Sequence, residues 1–202
     1  MTTKFKKRIY STAIFHGVLE EAITHFADMR QANKFKNIRK GFSERIMLAV
    51  TEVNGCKYCS YLHTKNALEE GMSEEDVQIM LSGDLSDAPP EESTALFFAQ
   101  HYAETIGHPE EAAYQKLLET YGKEATRDIL AFIRGIMLGN LHGTALETLG
   151  DRIKGKPAEG TTFWQEVSIV FGVFIFIPEI VVRNWFGKLF NGTKMKAEAK
   201  VH

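Results

Sequence analysis

Three observations predict an all-α helical bundle. Apolar residues recur at helical spacing, as in Ala95, Phe98, Tyr102 and Ile106. No stretch sustains the period-two alternation of a strand. The breaks between periodic segments carry helix-stop and helix-start residues, such as Asn54-Gly55 and Pro89-Pro90 before Glu91-Glu92. The length, 202 residues, suits one domain or one domain with an appendage, and the 44% hydrophobic content fills a core.

In chain order, the first helix is predicted over residues 9–32, and a polar, basic stretch at 33–41 follows. Ser43 is the expected N-cap of a helix carrying Ile46, Met47, Leu48 and Val50, which Asn54-Gly55 breaks. The next helix is expected to start near Cys59 and to stop at Gly71. Ser73 and Asp76 form a variant capping box for a short helix with Val77, Met80 and Leu81. Residues 83–90 read as a loop. Proline and acids then favour a first turn at Pro89, Pro90, Glu91 and Glu92, and His108-Pro109 ends that helix. Tyr114, Leu117, Leu118 and Tyr121 belong to a further helix closed by Gly122.

A longer helix over residues 124–149 has Ile129, Phe132, Ile133, Ile136 and Leu141 on one side. It also carries Gly135, Gly139 and Gly143, one every four residues. Each glycine costs about 1 kcal/mol against alanine inside a helix, so the stripe predicts close approach of another backbone. Asp128, Arg134, His142 and Glu147 argue against a membrane reading of that spacing. Asn140 and His142 read as structural, with Asn140 buried and hydrogen-bonded. His16, His25, His101 and His108 read as surface or packing residues.

Residues 155–162 look like a linker, which divides the chain into 1–155 and 156–202. The segment 167–182 is unusually apolar, with Trp164 and Trp185 flanking it and Arg183 and Lys188 following. Glu166, Pro178 and Glu179 interrupt it, and its continuous apolar run is short of the roughly 20 residues that span a bilayer. A helix apolar all round is normally buried, so an oligomer contact or a cover over the core is the favoured reading. Peripheral membrane contact through 167–190 is the alternative. The tail after Asn191 is polar and expected to be mobile.

The net charge of −2 gives no case for a nucleic-acid partner, and the basic start at Lys4, Lys6, Lys7 and Arg8 is too short to alter that. No apolar signal region follows Arg8, which points to the cytoplasm. The two cysteines lie three residues apart, unlike a structural disulfide framework. In a reducing compartment, a close pair points to redox chemistry or a metal.

The informative stretch is Thr51-Glu-Val-Asn-Gly-Cys56-Lys-Tyr58-Cys59-Ser-Tyr61-Leu-His63. If Cys59 opens a helix, its thiolate faces the positive end of the helix dipole. His63, one turn later, can lie over Cys59 and take its proton. The thiolate can attack a peroxide O–O bond to give a sulfenic acid, which Cys56 condenses to a disulfide and a reduced partner restores. Competing readings stand beside this one. Cys56, Cys59 and His63 supply three zinc ligands but lack a fourth. Inert thiols would leave a non-enzymatic helical interaction module. Glu44 can serve the site or merely a first-turn dipole, and Glu52 is nearer in sequence. Tyr58 and Tyr61 are site residues or core packing.

With Glu44 about a dozen residues before the Cys-x-x-Cys pair and His63 four residues after it, the sequence resembles the alkylhydroperoxidase D / carboxymuconolactone decarboxylase family in its redox branch. Asn54-Gly55, Ala67 and Gly71 also fit. The resemblance covers residues 42–72 and, as helical context, extends to 149; it leaves out the first helix and the C-terminal segment. It implies an oligomeric helical bundle: dimers or trimers, often combined into hexamers. It also implies Cys59 as peroxidatic thiol, Cys56 as resolving thiol, and Glu44 with His63 as proton relay. The implied activity is reduction of a hydroperoxide at the expense of a thiol or dithiol, without metal or organic cofactor. Between the cysteines the family often has His where this chain has Tyr58, whose phenol, with a pKa near 10, is a poor base at neutral pH. The family's decarboxylase branch does not rely on the cysteine pair, so the pair argues against that activity.

Overall fold

Ser11 caps α1 (Thr12–Thr24), its hydroxyl accepting from the Ile14 amide at 3.2 Å. The computed structural model describes residues 7–35, 37–86 and 88–198, which form eight helices and no strand. Lys4 and Lys6 of the basic start lie outside them. The single first helix expected from the sequence is two. His25 leaves helical geometry (φ −102°, ψ 19°), and α2 (Phe26–Phe35) starts again beyond it. No glycine or proline marks this break, so periodicity alone runs through it.

α3 (Lys40–Asn54) begins at an Arg39 N-cap that makes no side-chain capping bond. Ser43, the expected cap, lies inside the helix and donates to the Lys40 carbonyl at 2.8 Å. Gly55 ends α3 in the left-handed region (φ 68°), as Asn54-Gly55 predicts. α4 (Lys57–Glu69) then starts two residues before Cys59, with Cys56 as its N-cap. Ser73 and Asp76 close a reciprocal capping box on α5 (Glu74–Leu81). Pro90 opens α6 (Pro90–Glu104), which stops before His108: Ile106 and Gly107 both turn to positive φ, and Ile106 is half-buried beyond the helix end. α7 (Glu111–Ile153) bends at Gly122 (φ 71°, ψ 174°), where the sequence predicts a helix end. Residues 154–162 lead into α8 (Phe163–Glu198), which runs through Pro178 and past Asn191, where a mobile tail was expected. Side chains beyond 187, Lys188 among them, lie outside the described ones.

α7 is the axis of the bundle: α1, α2, α3, α4, α6 and α8 all pack on it, and α3 also packs on α6. Ile46, Leu48, Leu96, Ile129 and Ile133 are fully buried where these helices meet. Each such side chain contributes about 1.5–3 kcal/mol by leaving water. Charges inside the bundle are paired. Glu92, 1% exposed, meets Arg45 at 3.1 Å and Arg39 at 3.2 Å. Arg152 holds Glu166 through two hydrogen bonds of 2.7 and 3.0 Å and so ties the end of α7 to the start of α8.

Ile133→Ala removes a fully buried side chain from the axis and is expected to lower stability by about 2–5 kcal/mol, read from the urea midpoint. Ser73→Ala removes only a cap and is expected to cost about 0.5–2 kcal/mol. A smaller loss at Ile133 than at Ser73 would contradict the described core.

Candidate active site

The site begins at the left-handed Gly55, which turns the chain sharply from α3 into α4. Cys56 lands at the N-cap, where its sulfur accepts from the Cys59 amide at 3.3 Å. Both thiols are free; Cys56 is fully buried and Cys59 half-buried. The sulfur that receives the helix N-terminus is therefore that of Cys56, not that of Cys59 as the sequence suggested. The Cys59 thiol also donates to it, and together these donors hold Cys56 below the usual thiol range against the opposing effects of burial and the Glu147 charge. Cys59 is pushed well above that range, because its proton bonds Cys56 and its surroundings are dry.

α7 closes the back of the pair. A Cβ on Gly143 would stand 2.9 Å from the Cys56 sulfur and 3.4 Å from that of Cys59, so only glycine leaves room for both thiols. The glycine stripe predicted a backbone approach. At Gly143 it is the thiols that approach, and at Gly135 it is the Met29 methyl, at 3.0 Å. Next to Gly143 stands Thr144, which lowers the Cys56 pKa further. Glu147, also buried, accepts from Lys7 at 2.8 Å and Lys57 at 3.0 Å.

On the cavity side, the His63 Nδ1 is 2.7 Å from the Glu44 carboxylate, and the Asn66 amide donates to the other Glu44 oxygen at 3.3 Å. Glu44 is 4% exposed and lies beyond the first turn of α3, so a dipole role does not account for it. With Nδ1–H donated to the carboxylate, Nε2 is the basic nitrogen of the ring. Glu52, the alternative, packs its carboxylate against Gly83, where burial raises its pKa. Asn66 escaped the sequence reading, although its place three residues after His63 puts it on the same helix face.

A cavity of about 700 Å³ joins these groups. Glu44, His63, Cys59 and Tyr58 stand at its polar end, and Met47, Leu62, Phe132 and Ile136 are among its apolar walls. Its size is that of a small-molecule site. Tyr58 lines it while 61% exposed; Tyr61 is 76% exposed and outside the lining, so neither is core packing. Gly139 also lines the cavity, and a Cβ there would meet nothing nearer than 3.9 Å. The α7 wall was not legible as part of the site, because nothing in the sequence says which helix crosses behind α4. Among the described residues, no group of three or more His, Cys, Asp or Glu side chains is arranged to hold a metal ion.

The model of the carboxymuconolactone decarboxylase family matches residues 20–101. That stretch holds Glu44, Cys56, Tyr58, Cys59, His63 and Asn66 and stops before α7. A Bacillus subtilis (strain 168) protein described as "Uncharacterized protein YdfG" is 26% identical over 145 residues, which are 70% of this chain and 96% of that protein. No solved structure matches the chain.

Two measurements probe this geometry. The thiolate absorbance at 240 nm should rise in two separated steps, one below and one above the ordinary thiol value of about 8.5. Cys59→Ala removes the S–H donor and should move the remaining step upward; a downward move would contradict the assigned donor. Separately, Gly143→Ala should destabilise by about 1–3 kcal/mol through overpacking against the sulfurs. Gly139→Ala should gain up to about 1 kcal/mol from helix propensity. Chemical denaturation of both variants reads the two signs.

Proposed function

We propose that the chain, whose residues 20–101 match the model of the carboxymuconolactone decarboxylase family, is a thiol-dependent peroxidase acting on organic hydroperoxides. The observation that carries the reading is the convergence of Cys59, His63 and Glu44 on one largely apolar cavity, with Cys56 directly behind. Cys59 is the thiol that a molecule in the cavity meets, which supports it as the peroxidatic residue. His63, which lines the same cavity and keeps Nε2 free to accept, takes the Cys59 proton as the thiolate forms, with the Cys56 thiol behind it.

The Cys59 thiolate attacks the distal peroxide oxygen. The O–O bond breaks, an S–O bond forms, and the leaving alkoxide takes a proton by way of His63 and Glu44 to become the alcohol. The Cys56 thiol gives up its proton and displaces hydroxide from the Cys59 sulfenic acid; the two combine as water and the disulfide forms. Two electrons have passed to the peroxide, and an external thiol or dithiol returns them by reducing the disulfide. The polar end of the cavity suits the peroxide group, and its methionine and aromatic walls suit an alkyl or aryl substituent. Two cysteines in one close pair, rather than a disulfide framework, fit a reducing compartment such as the cytoplasm.

With cumene hydroperoxide as oxidant and dithiothreitol as reductant, the chain should consume peroxide catalytically. Cys59→Ser should abolish turnover, and Cys56→Ser should leave a sulfenic acid that dimedone traps. Glu44→Gln should lower the rate by about 10²–10⁴-fold, the usual contribution of acid–base assistance. Oxidation of the reduced pair no faster than that of a free thiol would reject the peroxidase reading.

A further inference from the structure

We propose that the outer face of α8 is the seam of a symmetric dimer, on which α8 of a second copy lies antiparallel. The apolar residues of α8 keep a heptad register. Trp164, Phe171, Pro178 and Trp185 are spaced by seven; Phe174 and Val181 come three after a member of that row, and Ile175 and Val182 four after. This period of 3.5 residues is that of a helix seated along another helix, and a lipid surface does not require it. The large side chains of the register face away from the body of the protein. Trp164 is 74%, Phe174 76% and Ile175 70% exposed, and Phe171, Val181, Val182 and Trp185 are each more than half exposed.

Among the described side chains, the polar ones of α8 turn the other way or flank the stripe. Glu166 is held by Arg152, and Gln165 donates to the Tyr10 carbonyl. Glu179 meets His16 and Arg183, Arg183 meets Glu20, and Asn184 donates to Thr24. The described charges thus face or flank the bundle and the aromatic rings of the register face out, the reverse of a surface helix. At roughly 150–250 Å² per aromatic side chain, the four rings of the register alone leave about 400–650 Å² uncovered. That is the size at which a monomer's largest patch is already functional. With the aliphatic residues added, it approaches the ~800 Å² that each partner brings to a standard interface.

A second copy fits this stripe because its seven-spaced row and the central Phe174–Ile175 pair map onto themselves when reversed. A twofold axis between Phe174 and Ile175 sets Trp164 against Trp185 of the partner subunit and Phe171 against Pro178 of the partner subunit. Such self-complementarity is what an isologous interface needs. Among the described side chains, the groups flanking the stripe include two carboxylates, Glu20 and Glu179, for one guanidinium, Arg183. A helix lying on an anionic bilayer carries lysine and arginine in those places.

Sedimentation velocity of the full chain at micromolar concentration should give twice the chain mass. Phe174→Glu combined with Ile175→Glu should halve it, with helical circular dichroism and thiol oxidation rate unchanged. As a check that does not depend on that variant folding, Ile175→Cys in a Cys56→Ser, Cys59→Ser background should cross-link to a covalent dimer with diamide. Ile153→Cys, at a site 76% exposed on α7, should not. A wild-type mass of one chain, a dimer that survives the double substitution, or equal cross-linking at Ile153 would overturn the proposal. So would a chain that is monomeric in buffer and floats with phosphatidylcholine–phosphatidylglycerol vesicles, which would assign the face to a bilayer instead.

Discussion

The missing side chain at Gly143 sets the depth at which the first turn of α4 seats against α7. Because a Cβ there would fall 2.9 Å from the Cys56 sulfur, a larger residue would have to push the cysteine turn outward. The burial of Cys56 and the half-burial of Cys59 follow from that seating. So does the alignment of Cys59 and His63 along one cavity wall, since both ride on α4. Gly55 provides the matching constraint from the chain itself: its left-handed turn lets α3 end and α4 begin with a single residue, Cys56, between.

Electrostatics around this turn are organised in two groups. The helix N-terminus and the Cys59 thiol both act on Cys56, so a negative charge on the pair favours the buried sulfur. Glu147 opposes that charge, but it is itself engaged by Lys7 and Lys57. On the cavity side Glu44 is buried against His63 and Asn66, which hold it by hydrogen bonds and orient the imidazole. The more acidic sulfur and the Glu44–His63 pair thus lie on different sides of Cys59.

Among the described residues, two helices are long and apolar enough to cross a membrane by length and composition, Glu111–Ile153 and Phe163–Gly187. Their surroundings separate them. The apolar window of α7 is mostly buried as the axis of the bundle, whereas that of α8 is mostly open. α8 is anchored by its polar residues and leaves most of its apolar window uncovered. Its inner contacts with α1 and α7 are therefore specific hydrogen bonds and ion pairs laid over a narrower apolar strip, which includes Ile169, Val170 and Ile180.

The sequence by itself determined what depends on near neighbours. The helical period, the Ser73–Asp76 capping box, the proline start of α6 and the stop at Gly55 are short-range properties of the backbone, and each was legible. So was the Cys-x-x-Cys pair with His63, because helical spacing alone puts Cys59 and His63 on one side of α4. Local signals failed where no special residue marks a boundary, as at His25, or where a good cap candidate such as Ser43 was passed over inside a longer helix. Only the tertiary structure decided that Glu44 rather than Glu52 reaches His63, that Cys56 rather than Cys59 receives the helix N-terminus, and that Gly143 backs the thiols. These depend on how α3, α4 and α7 cross. That crossing is set by the packing of many side chains distant in sequence, which no local pattern encodes.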